Sequence, residues 1–338
     1  VAEEHFVVVG NGPAGHQAAV TLKEKAPDAY VSVISRSRGS CYRPHLLPDF
    51  MAGKIPETAL YVCPTDAYKD KGVKLRTGQK VVGLNLRERS VALDHKEIVR
   101  FTGLIIAAGG KPRIPEPLWI FRDLMLTLKT LEDAKAWREK LSRVDSVLIM
   151  GGDLTSFAVT RSLLDLNKKV FFMLDREAFW PLRCDRVMLE EAAHRLSQRG
   201  VEVIVDRRVK SMARVSDLAC EVQLNGDRVR AGLIGAFFGL VPDIRFLVGS
   251  GLRIDRGILV DEYLNAGYEG VFATGDCAQI YHPEIRDYWV SIGHDNAVSL
   301  GRTAALNLLG GSVMVEAAQE SIFEVQGIRV NTSWWMDY

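Results

Sequence analysis

Phe6-Val7-Val8-Val9-Gly10-Asn11-Gly12-Pro13-Ala14-Gly15 decides the fold of this chain: a β-branched run stops in three glycines spaced G-x-G-x-x-G, then passes into a helical pattern from His16 to Lys25. Each glycine has a steric task in such a turn. Gly10 makes the tight bend, Gly12 leaves room for a pyrophosphate against the backbone, and Gly15 lets the helix lie close to the strand. The helix beginning near Pro13 and Ala14 offers free N–H groups and the positive end of its dipole, where an anion is stabilised. Val31-Ser32-Val33-Ile34 follows as a second strand, and parallel strands need such a helical crossover. The stretch therefore predicts a dinucleotide-binding β-α-β unit. The acidic residue that commonly ends the second strand is missing, and Ser35-Arg36-Ser37-Arg38 stands there instead. Ser35 can still hydrogen-bond a ribose, while Arg36 and Arg38 read either as a 2′-phosphate site or as a solvated loop.

The same grammar recurs in the middle of the chain. Val147-Leu148-Ile149-Met150 runs into Gly151-Gly152-Asp153-Leu154-Thr155-Ser156, then a helix to about Leu166 and the strand Val170-Phe171-Phe172-Met173. The expected fold class is α/β with two Rossmann-like nucleotide-binding domains. Residues 116 to 145 read as a charged, helical connector. With 338 residues, 47% apolar and 25% charged, the chain is long enough for at least two compact units. Lys and Arg number 43 against 42 Asp and Glu, a net charge of +1 without a basic tract, so nucleic acid is not an expected partner. No apolar run reaches the roughly 20 residues of a membrane span, and the first residues lack a signal-peptide pattern, so a cytoplasmic protein is expected. Five scattered cysteines (41, 63, 184, 220 and 277), never spaced C-x-x-C, argue against a disulfide framework and against a zinc or iron–sulfur site in this chain.

Two further punctuated segments complete the pattern: Leu104-Ile105-Ile106-Ala107-Ala108-Gly109-Gly110, and Gly270-Val271-Phe272-Ala273-Thr274-Gly275-Asp276. With them the chain resembles the FAD-dependent pyridine nucleotide–disulfide oxidoreductase superfamily. Tyr42-Arg43-Pro44-His45-Leu46 is similar to the R-P-x-L segment of its rubredoxin reductase, ferredoxin reductase and nitrite reductase flavin-domain branch. The likeness continues through Gly239-Leu240-Val241-Pro242-Asp243 and the closing helix Asn296-Ala297-Val298 to Gly301-Arg302. It implies an FAD domain formed by residues 1–112 and 236–310, with an inserted NAD(P)H-type domain at 113–235. FAD would lie on Gly10, Gly12, Pro13, Ala14 and Gly15, with Ser35 and Arg36 at the ribose and Ala108, Gly109 and Gly275 along the cofactor. Asp276 would accept from the ribityl chain, although Asp before a helical stretch also reads as an N-cap. Arg43 and Pro44 would sit beside the isoalloxazine, and the helix led by His294, Asp295, Asn296 and Ala297 would point at its pyrimidine end. His294 stands where relatives often carry Trp, with capping, packing and proton handling all open to it.

Departures from the family pattern bear on NAD(P)H. The second turn keeps Gly151 and Gly152 but places Asp153 and Ser156 where glycines belong, and Asp175 is a further candidate for NAD(P)H binding. A carboxylate about 5 Å from a pyrophosphate costs roughly 1 to 3 kcal/mol between water and an effective dielectric of 20, so weakened NAD(P)H binding is expected unless Asp153 points away. Relatives often pair a lysine after R-P-x-L with a glutamate on the helix after the second turn; Pro48 or Asp49 and Ala158 occupy those places. Cys41, three residues before Pro44, matches the position of the single redox cysteine of NADH oxidases and coenzyme A-disulfide reductases, or else is an inert buried thiol.

The resemblance implies an FAD-dependent oxidoreductase passing electrons between NAD(P)H and an iron–sulfur or rubredoxin-like protein, supplied by another chain. Two alternatives stand beside it: an electron-transfer subunit with an impaired NAD site, and a Cys41-dependent peroxide or disulfide reductase. Relatives continue into a sizeable third domain, whereas fewer than thirty residues follow Gly311 here. Segment 311–338, with the alternating Ser321 to Val325 and with Trp334-Trp335, is expected to be an interface for a hetero-oligomeric partner.

Overall fold

The computed structural model describes residues 4–174, 186–205, 207–284, 286–291, 293–315, 322–325 and 328–331. Its first sheet has six strands in the order Asn265–Tyr268, Val271–Ala273, Gly103–Ile106, His5–Val9, Tyr30–Ser35 and Val73–Thr77. All neighbours run parallel except the first pair. The register sets Val9 beside both Ile34 and Ile106, and Ile106 beside Ala273. The carboxyl ends of four strands, distant in sequence, thereby meet at one edge, which is where open parallel sheets bind ligands.

The first helix, Pro13–Lys25, starts three residues earlier than the apolar periodicity indicates, because Pro at its first turn is preset to helical φ. Small residues on its inner face, Ala14, Gly15, Ala18 and Ala19, are buried and let it lie close to the sheet. A Cβ on Gly15 would come within 2.0 Å of the Gly10 carbonyl oxygen, so only glycine permits this approach. The closing helix, His294–Leu308, crosses the first helix equally closely: a Cβ on Gly301 would lie 2.1 Å from the Ala14 carbonyl oxygen.

A second sheet, all parallel, has the order Glu202–Val205, Lys169–Leu174, Ser146–Gly151 and Leu233–Phe237. The helix Leu154–Asp165 follows its central strand, completing another Rossmann-like unit. The connector resolves into a 3₁₀ segment, Glu116–Leu124, and the helix Leu131–Leu141. That helix is begun by a capping box in which Asp133 N–H donates to the Thr130 hydroxyl and the Asp133 carboxylate accepts from Thr130 N–H. Its Trp137 is fully buried and donates to the Thr127 carbonyl at 3.0 Å. A short antiparallel ladder, Gly110–Pro112 with Leu240–Pro242, carries the chain out to the second sheet and back. Of the segment after Gly311, Ile322–Val325 and Ile328–Asn331 pair as an antiparallel hairpin, while Trp334 and Trp335 lie outside the described residues. No helix among the described residues is long and apolar enough to cross a membrane.

Candidate cofactor site

At the meeting point of the strand ends lies a cavity of about 650 Å³. It runs from Ser35 and Arg36, past Gly10, Gly12, Pro13 and Ala14, along Ala108 and Gly109, to Pro44, Gly275, Asp276 and Ala297. Gly12 is the N-cap of the first helix, and no side chain caps that end. A Cβ on Gly12 would meet nothing within 4 Å, so the backbone there is bare toward the cavity. An uncapped helix end facing an elongated cleft is a cradle for an anion flanked by two larger groups, and a flavin dinucleotide meets that description. The residues fit FAD.

Several site residues that the sequence singles out act behind the cavity wall instead of on it. Gly15 serves only the close packing of helix on turn. Arg43 donates to the Tyr61 carbonyl at 2.8 Å and leaves Pro44 to face the cavity. Arg36 does line the cavity, where its guanidinium pairs with Asp243 at 2.9 Å across the mouth. Asn296 lies off the lining, and His294 packs on His45 with ring centroids 4.6 Å apart. Burial holds both imidazoles below the usual histidine pKa, with Arg43 acting in the same direction and the Asp295 carboxylate opposing it. They are neutral at pH 7.

Of the two readings of Cys41, redox cysteine or inert buried thiol, its surroundings favour the second. It is fully buried, is not on the cavity wall, and burial pushes its thiol up to about 12. A thiol raised that far is protonated at neutral pH, which disfavours the thiolate that redox chemistry needs. Its place is structural: Cys41 N–H donates to the Tyr68 hydroxyl at 3.4 Å, and that hydroxyl donates to Asn11 Oδ1 at 2.7 Å inside the first glycine turn. Native protein treated with iodoacetamide at pH 8 should therefore leave the Cys41 peptide unmodified in a mass-spectrometric digest, and rapid labelling there would restore the thiol-reductase reading.

Sequence reasoning missed Lys129 and Tyr68. Lys129 lines the cavity and pairs with Asp276 at 3.1 Å, so the carboxylate expected to take a ribityl hydroxyl is already oriented. The only sequence signal for Lys129 was its place directly before the capping box at Thr130. Tyr68 left none, since its role depends on Asn11, 57 residues away.

At the second turn the backbone repeats the first but the chemistry does not. A Cβ on Gly151 would come within 1.9 Å of the Phe237 carbonyl oxygen, so that glycine is still required. Asp153 is the N-cap of the helix Leu154–Asp165: Oδ1 accepts from Ser156 N–H at 2.9 Å and Oδ2 from Gly239 N–H at 3.0 Å. The carboxylate therefore sits at the helix end itself, held between the turn and the neighbouring strand connection. Burial raises its pKa to about 6 against the pull of those N–H donors. Asp175 lies outside the described residues. Near the places of the missing lysine and glutamate, Asp49 on the helix Leu47–Met51 pairs at 3.0 Å with Arg161, three residues beyond Ala158. Lys54 binds both Asp49, at 3.5 Å, and Asp165.

Comparison with known proteins now decides the family, because the sequence profile of the pyridine nucleotide-disulphide oxidoreductases matches residues 4–299. The chain belongs to that family. It is an FAD-dependent oxidoreductase of Rossmann-like α/β architecture. Putidaredoxin reductase CamA of Pseudomonas putida is 27% identical over 334 residues, covering 94% of this chain and 77% of the relative. A rubredoxin-NAD(+) reductase of Ectopseudomonas oleovorans is 26% identical over 317 residues, covering 91% and 80%. Among solved structures, the putidaredoxin reductase of a covalent putidaredoxin complex superposes with a TM-score of 0.86 at 24% identity, over 96% of this chain and 80% of that one. This oxidoreductase therefore shares the fold of those reductases while departing from the family pattern at its second turn.

Proposed function

We propose that this oxidoreductase exchanges electrons between its FAD and an iron–sulfur or rubredoxin-like protein. The observation that carries the reading is the cavity with the bare first helix end at one part and the Lys129–Asp276 pair at another. The helix end would hold the FAD pyrophosphate and Asp276 a ribityl hydroxyl, while Pro44 and Ala297 would bound the isoalloxazine. Bound there, FAD supplies the two-electron to one-electron conversion, and the protein sets its position and electrostatics. The partner class follows from relatives named for putidaredoxin and rubredoxin, together with the absence of any metal-ligating cluster among the described residues. A hetero-oligomer with such a carrier is the expected form in native purification.

The test is direct. Denatured protein should release FAD, and photoreduced holoprotein mixed anaerobically with oxidised rubredoxin or a small ferredoxin should lose its reduced-flavin spectrum faster than free reduced FAD does. Equal rates with every such carrier would refute the proposed partner class.

A further inference from the structure

Dinucleotide-binding turns work by leaving backbone N–H groups unspent at a helix start, so that a pyrophosphate can satisfy them. At the second turn of this protein a carboxylate takes one of them and ties it to the neighbouring strand connection. Gly152 N–H donates to the Phe237 carbonyl at 3.0 Å, Ser156 N–H donates to Asp153 Oδ1 at 2.9 Å, and Oδ2 reaches across to Gly239 N–H at 3.0 Å on the neighbouring strand connection. A carboxylate thus stands at the helix end with the charge and hydrogen bonds of a bound anion. The first turn offers the contrast: the same fold and the same helix start, with Gly12 as a cap that brings no side chain.

A second, independent observation lies where the two units touch. Asp49 and Arg161 join the short helix Leu47–Met51 to the helix Leu154–Asp165. Lys54 bridges Asp49 and Asp165 on the same seam. Side chains at this seam are committed to one another.

We infer that the Asp153 carboxylate fills the anion position of the second dinucleotide turn, so that this flavoprotein excludes NAD(P)H and its flavin is not reduced by a nicotinamide. A pyrophosphate arriving at the turn must displace Asp153 from two N–H donors and then lie beside its charge. The two costs act in the same direction. The second unit is then a support for the flavin unit, held to it by the Asp49–Arg161 seam. This inference rests on the assignment of FAD to the first turn.

Calorimetric titration of the holoprotein with NADH, NADPH and NAD⁺, paired with anaerobic flavin spectra, tests it. The native protein should show no saturable binding up to about 1 mM and no bleaching of oxidised flavin within minutes, whereas Asp153→Gly should bind at least tenfold more tightly. Should the glycine variant fail to fold, Asp153→Asn decides: its amide oxygen can keep the cap at Ser156 while the charge is gone, and binding should again strengthen. Micromolar binding of NADH or NADPH by the native protein, or variants that bind no better than it does, would overturn the proposal. Photoreduced holoprotein oxidised by rubredoxin or ferredoxin reports on the partner reading separately, because that reaction needs no nucleotide.

Discussion

Gly12→Asp protein should purify colourless, with FAD affinity reduced about a thousandfold. A carboxylate about 4 Å from one pyrophosphate charge costs roughly 4 kcal/mol at an effective dielectric of 20, and it also supplies the cap that the first helix lacks. The chain itself should fold: a Cβ on Gly12 meets nothing within 4 Å, so the melting temperature of the apo variant should match that of apo native protein. FAD content after desalting, measured beside apo-protein melting, separates a lost cofactor from a lost fold. Undiminished FAD would show that the first turn does not hold it. The variant would in effect reproduce at the first turn what Asp153 already does at the second.

Gly301→Val should have the largest effect on stability. The added Cβ would fall 2.1 Å from the Ala14 carbonyl oxygen and within 3 Å of the Ala14 carbonyl carbon and Cα, all backbone atoms that no rotamer change can move. The first and closing helices would have to separate along their crossing, and overpacking against main chain costs about 3 kcal/mol or more. Ala14 lies in the first turn of the helix that cradles the pyrophosphate, so FAD retention should fall together with stability, in contrast to Gly12→Asp. Denaturant unfolding of the apo-protein gives the first quantity and FAD content the second. A native-like midpoint with full FAD would mean that the two helices are not held at this distance.

The first glycine turn was legible from sequence because its requirements are local: three glycines within six residues, one strand before and one helix after. The joining of the first and third blocks was legible only through the resemblance, and one sheet holds strands from residues 5–106 and 265–273. Asp153 was visible as a departure, but the direction of its carboxylate was not, since its second hydrogen bond goes to Gly239, 86 residues away. Arg161 escaped notice for the same reason, as its partner Asp49 lies 112 residues earlier. The spacing of Cys41 from Pro44 left both a redox and an inert reading open, because spacing is a sequence property, whereas its burial and its bond to Tyr68 are properties of the packed fold.

None of the six strands of the flavin sheet comes from between Pro112 and Leu240, the two ends of the ladder through which the chain leaves and returns. Topologically the middle unit is a detour. Its exit and entry are pinned side by side, so whatever is written into its second glycine turn changes no rung of the flavin sheet. A chain built this way can trade a nucleotide site for a strut without re-registering the sheet on which its cofactor depends.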